Sequence, residues 1–315
     1  MNQLIWRLHR QQVLFAGAAL VVLAVVLVVT GTTMAAHYHS ALKLCAASRS
    51  CAELSGELFQ GDGFIIDLVS VTIIVPLLFG LFWGAPLVAK ELEEGTQDLV
   101  WVQGVTRRRW MTSNVGWVLV AAVLWGAAMS ALVTWWRGPE DVLRGGRFGV
   151  SFDITGLAPV AYAVFAVALG IAAGTLLKRV LPALATTLAG FAIVRASVGL
   201  WLRPRYLGPI RASLPLVNDA SGAPPGGWVL SRVVVSPAGH IYEPFSPAGI
   251  PAACHAAFFN NSALSCLAAH GFRRLVTYQP AGRYWAFQGI EAGIFVALAA
   301  GLVTISYLAV LRRDA

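Results

Sequence analysis

Three ionisable residues interrupt otherwise apolar runs: Asp67, Arg195 and Glu291. A charge at bilayer depth costs about 2.5–3.5 kcal/mol even on the most lenient insertion scale, so such residues pair, line a polar path or reach the interface. Counted along each run at ~1.5 Å per residue, all three fall in the third nearest the same side. They are expected to meet as one cluster, with Arg195 bridging Asp67 and Glu291. Two readings are open. One is a structural ion pair that locks helices together, or snorkelling to headgroups; the other is a polar gate at the outer mouth of a pathway.

Other catalytic constellations do not assemble. All six histidines (His9, His37, His39, His240, His255 and His270) lie outside the apolar runs, which leaves no histidine for a Ser-His dyad or a zinc site within a bilayer. The spacing of His37, His39, Cys45 and Cys51 matches no zinc pattern, so no metal site is expected. Asn260-Asn261-Ser262 is a glycosylation sequon, a pattern of low specificity. The sequence has no Gly-x-x-x-x-Gly-Lys-Ser/Thr phosphate loop. If ATP drives this protein, hydrolysis belongs to another chain.

The composition is that of a membrane protein. Of 315 residues, 57% are hydrophobic and 12% charged, with a mean hydropathy of +0.70, more apolar surface than a soluble domain could bury. Runs long enough to cross a bilayer, about 20 residues each, extend over Val13 to Thr33, Phe64 to Ala89, Val115 to Trp136, Leu157 to Leu177, Val180 to Leu202 and Phe287 to Leu311. Six spans place both termini on one side. That side carries Arg7, Arg10, Lys90, Arg107, Arg108, Arg109, Lys178, Arg179, Arg312 and Arg313, whereas the two short loops opposite carry Lys43, Arg49, Arg137, Arg144 and Arg147. The positive-inside rule then makes the termini cytoplasmic. The net charge of +8 reflects this topology, and no nucleic-acid partner is implied.

The predicted organisation is residues 1–202 as five spans, 203–285 as an outer domain and 286–315 as the sixth span with a cytoplasmic end. All four cysteines fall on the outer side. In an oxidising compartment they suggest the local pairs Cys45–Cys51 and Cys254–Cys266, although four cysteines allow three connectivities. The first twelve residues have a short amphipathic pattern suited to the interface. Glycines four apart, Gly80/Gly84, Gly170/Gly174 and Gly289/Gly293, let helix backbones approach closely. In the outer segment, Val229 to Tyr242 reads as a hairpin turning at Ser236-Pro237-Ala238-Gly239, Pro251 to His270 as partly helical, and Phe272 to Tyr278 as a strand.

Between the second and third runs, Gly95 breaks the helix, Thr96 can cap a new one with Asp98 in its first turn, and Gly104 suits its end. Leu99 and Val102, and Trp101 and Val105, can share faces. Physics alone leaves open an ordinary interfacial helix with a solvated charge run. Phe82-Trp-Gly-Ala-Pro-Leu-Val-Ala-Lys-Glu-Leu-Glu-Glu-Gly-Thr96, with Trp101 and Val105 to Trp110, resembles the loop after the second span in actinobacterial permeases of the type-2 ABC-transporter family. Gln279-Pro280 and Tyr284-Trp-Ala-Phe-Gln-Gly-Ile-Glu291, through Arg312-Arg313, resemble the same family's last span.

The resemblance implies an α-helical integral membrane protein with an N-terminal interfacial elbow helix, six spans and a cytoplasmic coupling helix; the outer segment reads as a small α/β domain between spans 5 and 6. It implies that Glu91, Glu94, Gly95, Thr96, Gln97, Asp98, Trp101 and Gln103 meet the ATPase. The expected partners are two ABC ATPase subunits holding ATP and Mg, and a second permease copy in a homodimer. This chain is expected to need no cofactor. The expected activity is export of a lipophilic or amphipathic substrate (drug, lipid or peptide) by alternating access, from the cell membrane. The alternatives are a polytopic membrane enzyme, and an antibiotic sensor or immunity protein on a transporter scaffold.

Overall fold

The computed structural model describes residues 2–47, 63–94, 106–143, 146–216, 226–242, 251–254 and 263–311. Among them, six helices are long and apolar enough to cross a membrane: span 1 Leu14–Ala36, span 2 Ile66–Glu93, span 3 Arg108–Pro139, span 4 Ala158–Leu177, span 5 Val180–Arg205 and span 6 Ala281–Leu311. The ends of the bundle are called proximal, on the side of the termini, and distal, opposite them.

In chain order the helices are α1 (Asn2–Ala47), α2 (Gly63–Ser70), α3 (Val75–Phe79), α4 (Ala85–Glu93), α5 (Arg107–Leu143), α6 (Val150–Ile154), α7 (Ala158–Leu177), α8 (Val180–Ser197), α9 (Ala263–Ala269) and α10 (Tyr284–Leu311). The separate elbow helix expected over the first twelve residues is not formed; α1 runs unbroken from Asn2 through span 1. No proline interrupts this stretch and its first glycine is Gly17, so nothing stops the hydrogen-bond ladder.

Span 4 is the hub. In its apolar centre 72% of residues are buried, against 11% to 39% in the other spans, and it packs on spans 2, 3, 5 and 6. Small residues make this possible. A Cβ on Gly80 would stand 2.5 Å from the Ala166 carbonyl oxygen, one on Gly84 2.6 Å from that of Val167, and one on Gly174 2.6 Å from that of Ala85. Two of the three glycine pairs therefore face each other, backbone against backbone, across spans 2 and 4. The third does not: Cβ atoms on Gly289 and Gly293 would meet open space.

Two spans contain a wide turn, and each precedes a proline. Over Gly80–Gly84 the Ala85 amide reaches back to the Gly80 carbonyl, and over Val198–Leu202 the Arg203 amide reaches back to Val198, both five residues earlier. Pro86 and Pro204 follow directly. A proline ring has no N–H to offer and clashes with the carbonyl four residues back, so the helix widens by one residue just before it.

Beyond span 5 the distal segment builds a sheet from β1 (Ile210–Pro215), β2 (Trp228–Val235), β3 (Ile241–Tyr242) and β4 (Arg273–Gln279), in the order β1-β4-β2-β3. β2 and β3 form the hairpin, with Val235 opposite Ile241, and β4 pairs antiparallel with both β1 and β2. β1 was not anticipated: Pro209 and Pro215 bracket it and it has no clean alternation. A cluster of Leu216, Leu267 and Phe272 packs beside the Cys254–Cys266 disulfide, whose Cα atoms are 5.7 Å apart. The Cys45–Cys51 pair lies outside the described residues.

The glycine contacts give a paired expectation. Gly170→Val forces backbone apart and should destabilise by at least the roughly 1–3 kcal/mol of overpacking. Gly289→Val and Gly293→Val should leave monomer stability within about 0.5 kcal/mol, as exposed substitutions do. Thermal unfolding of the three variants in detergent measures this, and equal losses would contradict the packing described.

Candidate functional site

The buried charges gather at the distal end. Glu291 lies in α10 with no exposed surface, and Tyr284, Gln288 and Glu291 share one face of that helix by their spacing of four and three. Arg203 grips Glu291 with two prongs: Nε donates to Oε2 at 2.8 Å and Nη2 to Oε1 at 2.6 Å. The hydroxyls of Tyr162, from span 4, and Tyr206 donate to Oε1 at 2.5 Å and Oε2 at 3.2 Å. Arg195 adds an ion pair at 3.5 Å. Glu291 thus joins spans 4, 5 and 6 at one carboxylate. Burial, then the nearby Glu291 charge, raises the Tyr206 phenol above its ordinary range, so it stays a neutral donor.

A second carboxylate completes the set. Asp153, on the five-residue helix α6 between spans 3 and 4, accepts both arginines at a single oxygen: Oδ1 lies 2.6 Å from Arg195 Nη2 and 2.6 Å from Arg203 Nη2. The guanidiniums also lie over rings, Arg195 above Tyr162 at 4.1 Å and Arg203 above Phe152 at 4.3 Å. Two cations and two anions therefore cancel, which is the condition for burying them.

The wide turn before Pro204 makes the pairing possible. Eight residues separate Arg195 from Arg203, about 80° apart around a regular helix. One extra residue absorbed in the turn reduces this to about 20°, so both arginines share a face.

The chain around α6 is fastened from the other spans as well. Gln288 Oε1 accepts the first amides of α7, Leu157 at 2.9 Å and Ala158 at 2.8 Å, while its Nε2 donates to the Phe152 carbonyl at 2.8 Å. A side chain from span 6 thus supplies the cap that span 4 lacks of its own. From span 3, Ser130 donates to the Gly156 carbonyl at 2.6 Å, and Tyr284 and Thr155 hydroxyls meet at 2.8 Å. Gly156 has φ +75°, and a Cβ there would lie 3.0 Å from Gln288 Oε1, so glycine suits both the backbone and the space.

Of the three intramembrane charges singled out from sequence, Arg195 and Glu291 come together and Asp67 does not. Asp67 is exposed at the distal end of span 2 and joins no ion pair among the described residues; Asp153 stands where it was expected. A carboxylate one residue from the end of a span reaches the interface without a partner. Arg203 and Asp153 were missed because each lies outside the apolar runs. The usable signals were Pro204 after Arg203, and the Tyr284, Gln288, Glu291 spacing.

At the proximal end, Glu93 Oε2 accepts the Val180 amide at 2.9 Å, tying the end of span 2 to the start of span 5. Glu94 pairs with Lys90 at 4.0 Å on the surface, and Glu91 is partly buried. Gly95, Thr96, Gln97, Asp98, Trp101 and Gln103 lie outside the described residues. In the distal segment, His270 Nδ1 is 3.6 Å from Cys254 Sγ and 3.9 Å from Cys266 Sγ, but the disulfide leaves no thiolate there for a metal.

Removing one partner of a buried pair strands the other. Glu291→Gln should therefore lower stability by about 3–5 kcal/mol, while Asp67→Asn should stay within about 0.5 kcal/mol. Thermal melts in detergent separate these, and a silent Glu291→Gln would refute the assignment of Glu291 as the shared carboxylate.

Residues 17–203 match the family described as ABC-2 membrane transporter related. No curated protein and no solved structure matches the chain. The match takes in spans 1 to 5, from α1 to Arg203, and with the six-span bundle it places this chain in the ABC-2 membrane transporter related family, as a membrane-spanning subunit of an ABC transporter.

Proposed function

We propose that this protein is the permease of an ATP-driven exporter, a homodimer with two copies of a separate ATPase, in the cell membrane with both termini cytoplasmic. ATP and Mg act in that partner. The cargo is lipophilic or amphipathic, and alternating access carries it outward.

The observation that carries this reading is the distal lock. Asp153 sits on a short helix held across the ends of spans 3 to 6, and one of its fastenings is a pair of ion pairs through a single oxygen. Such a helix can act as an outer plug, released when span 5 turns its arginines away. Span 5 is also the element tied to span 2 at the proximal end, through Glu93 and the Val180 amide. A push on the loop after span 2 would then reach the distal arginines along one helix. The exposed side of span 5 carries Ala185, Ala189 and Ala196, spaced by four and seven, which suits close packing against a second copy.

Co-purification of the tagged protein with a co-expressed candidate ABC ATPase tests the reading. The wild type should retain the ATPase stoichiometrically, and Glu94→Arg and Gly95→Pro should lose coupled hydrolysis while still inserting. Glu93→Ala should keep the partner but lower substrate-coupled hydrolysis by about tenfold, within the usual range of coupling free energies. An ATPase that does not bind, with all variants unchanged, would end the exporter reading.

A further inference from the structure

The two carboxylates of the lock are held very differently. Glu291 is fully buried on a 28-residue helix, with both oxygens engaged by Arg203, Tyr162 and Tyr206. Asp153 belongs to a five-residue helix, keeps 16% of its side chain exposed, and uses only Oδ1 among the described residues. It sits on the arginines as a bound anion would, on a tether.

Withdrawing α6 therefore changes the charge balance. Arg195 and Arg203 would remain against Glu291 alone, leaving one uncompensated positive charge in a site largely shielded from water. An uncompensated buried charge is unstable, and an incoming anion relieves it. Directly along span 5, Ala192 and Leu188 lie three and seven residues before Arg195, on the same side, and both are exposed. They offer about 10 Å of apolar helix face beneath the guanidinium.

An independent feature points to the same charge. From Pro204 to Trp285 the chain carries six further arginines, no lysine, and as acids only Asp219 and Glu243. Arg205, Arg211 and Arg273 are exposed there. By register Arg211 and Arg273 lie on one face of the sheet, opposite Thr277 and Pro215 respectively. A surface of one sign concentrates counter-ions of the other near the site.

We propose that Arg195 and Arg203 form the head-group site for an anionic amphiphile, a single carboxylate or phosphate monoester on an apolar chain, and that Asp153 is a tethered competitor that fills the site when the distal end is shut. The proposal rests on the permease reading for its meaning as cargo recognition, but the binding itself does not require an ATPase.

The test uses the full-length protein in dodecyl maltoside, titrated with dodecyl phosphate, dodecyltrimethylammonium or inorganic phosphate, with native mass spectrometry and the shift in melting temperature as readouts. Wild type should bind dodecyl phosphate in preference to the cationic chain. Asp153→Asn, which removes the competitor, should bind it about tenfold tighter or more, a gain that a purely structural carboxylate would not produce. Arg195→Gln should abolish the preference. If Asp153→Asn does not fold, the charge preference of the wild type decides alone. No preference for the anionic chain, or no gain in a folded Asp153→Asn, overturns the proposal. Inorganic phosphate binding as tightly as dodecyl phosphate overturns the amphiphile. Anion binding without an ATPase partner would leave the site standing and remove its role in export; an ATPase partner without anion binding would do the reverse.

Discussion

Everything at the distal end depends on one requirement, that the Glu291 carboxylate be neutralised where no water reaches it. The helix carrying it cannot tilt the charge to the surface, so partners must come to it, and they come from three directions: Tyr162 from span 4, Arg195 and Arg203 from span 5, and Tyr206 from the chain leaving it. Because Arg203 also holds Asp153, the same requirement draws in the short helix between spans 3 and 4. A buried pair of this kind adds little net stability over an apolar replacement, but it penalises any arrangement that separates its members. It therefore selects one arrangement more than it strengthens it.

The body of the bundle follows a different logic. Spans 2 and 4 touch through glycines at backbone distance, a contact with no charge and no rotamers to rearrange. In lipid, where apolar side chains gain little from leaving their surroundings, close backbone approach is a main source of helix association. Backbone contacts at glycines in the centre and charge pairs at the distal end thus hold the bundle by two different means.

The sequence made the spans legible because a bilayer imposes a length and an apolarity that few other environments demand; each run read from hydropathy coincides with one observed span, although span 3 starts at Arg108, before Val115, and span 6 at Ala281, before Phe287. The lock was only half legible. Glu291 and Arg195 stood out as charges in apolar runs, but Asp67 stood out equally and lies at the surface, since hydropathy reports depth and not direction. Asp153 sits in a short polar connection where a carboxylate is unremarkable. Arg203 follows the apolar run that ends at Leu202 and so reads as the start of the outer segment, whereas the helix widens over Val198–Leu202 and a further turn carries the arginine. The hairpin in the distal segment was legible from its β-branched run and turn residues, but β1 was not, because its pairing with β4 is long-range.

The wide turn in span 5 also constrains chain length. Two arginines eight residues apart share a face only because one residue is taken up between them, so their alignment depends on how many residues intervene and scarcely on which ones. Pro204, which touches neither carboxylate in any contact described, thereby fixes the bearing of one charge relative to the other. A chain with one residue fewer in this stretch, and no proline after it, would recover the same bearing with a regular helix. Two sequences of unequal length could thus present the same pair of guanidiniums, and an alignment that matches residue for residue across Val198–Leu202 would set the wrong arginine against its counterpart.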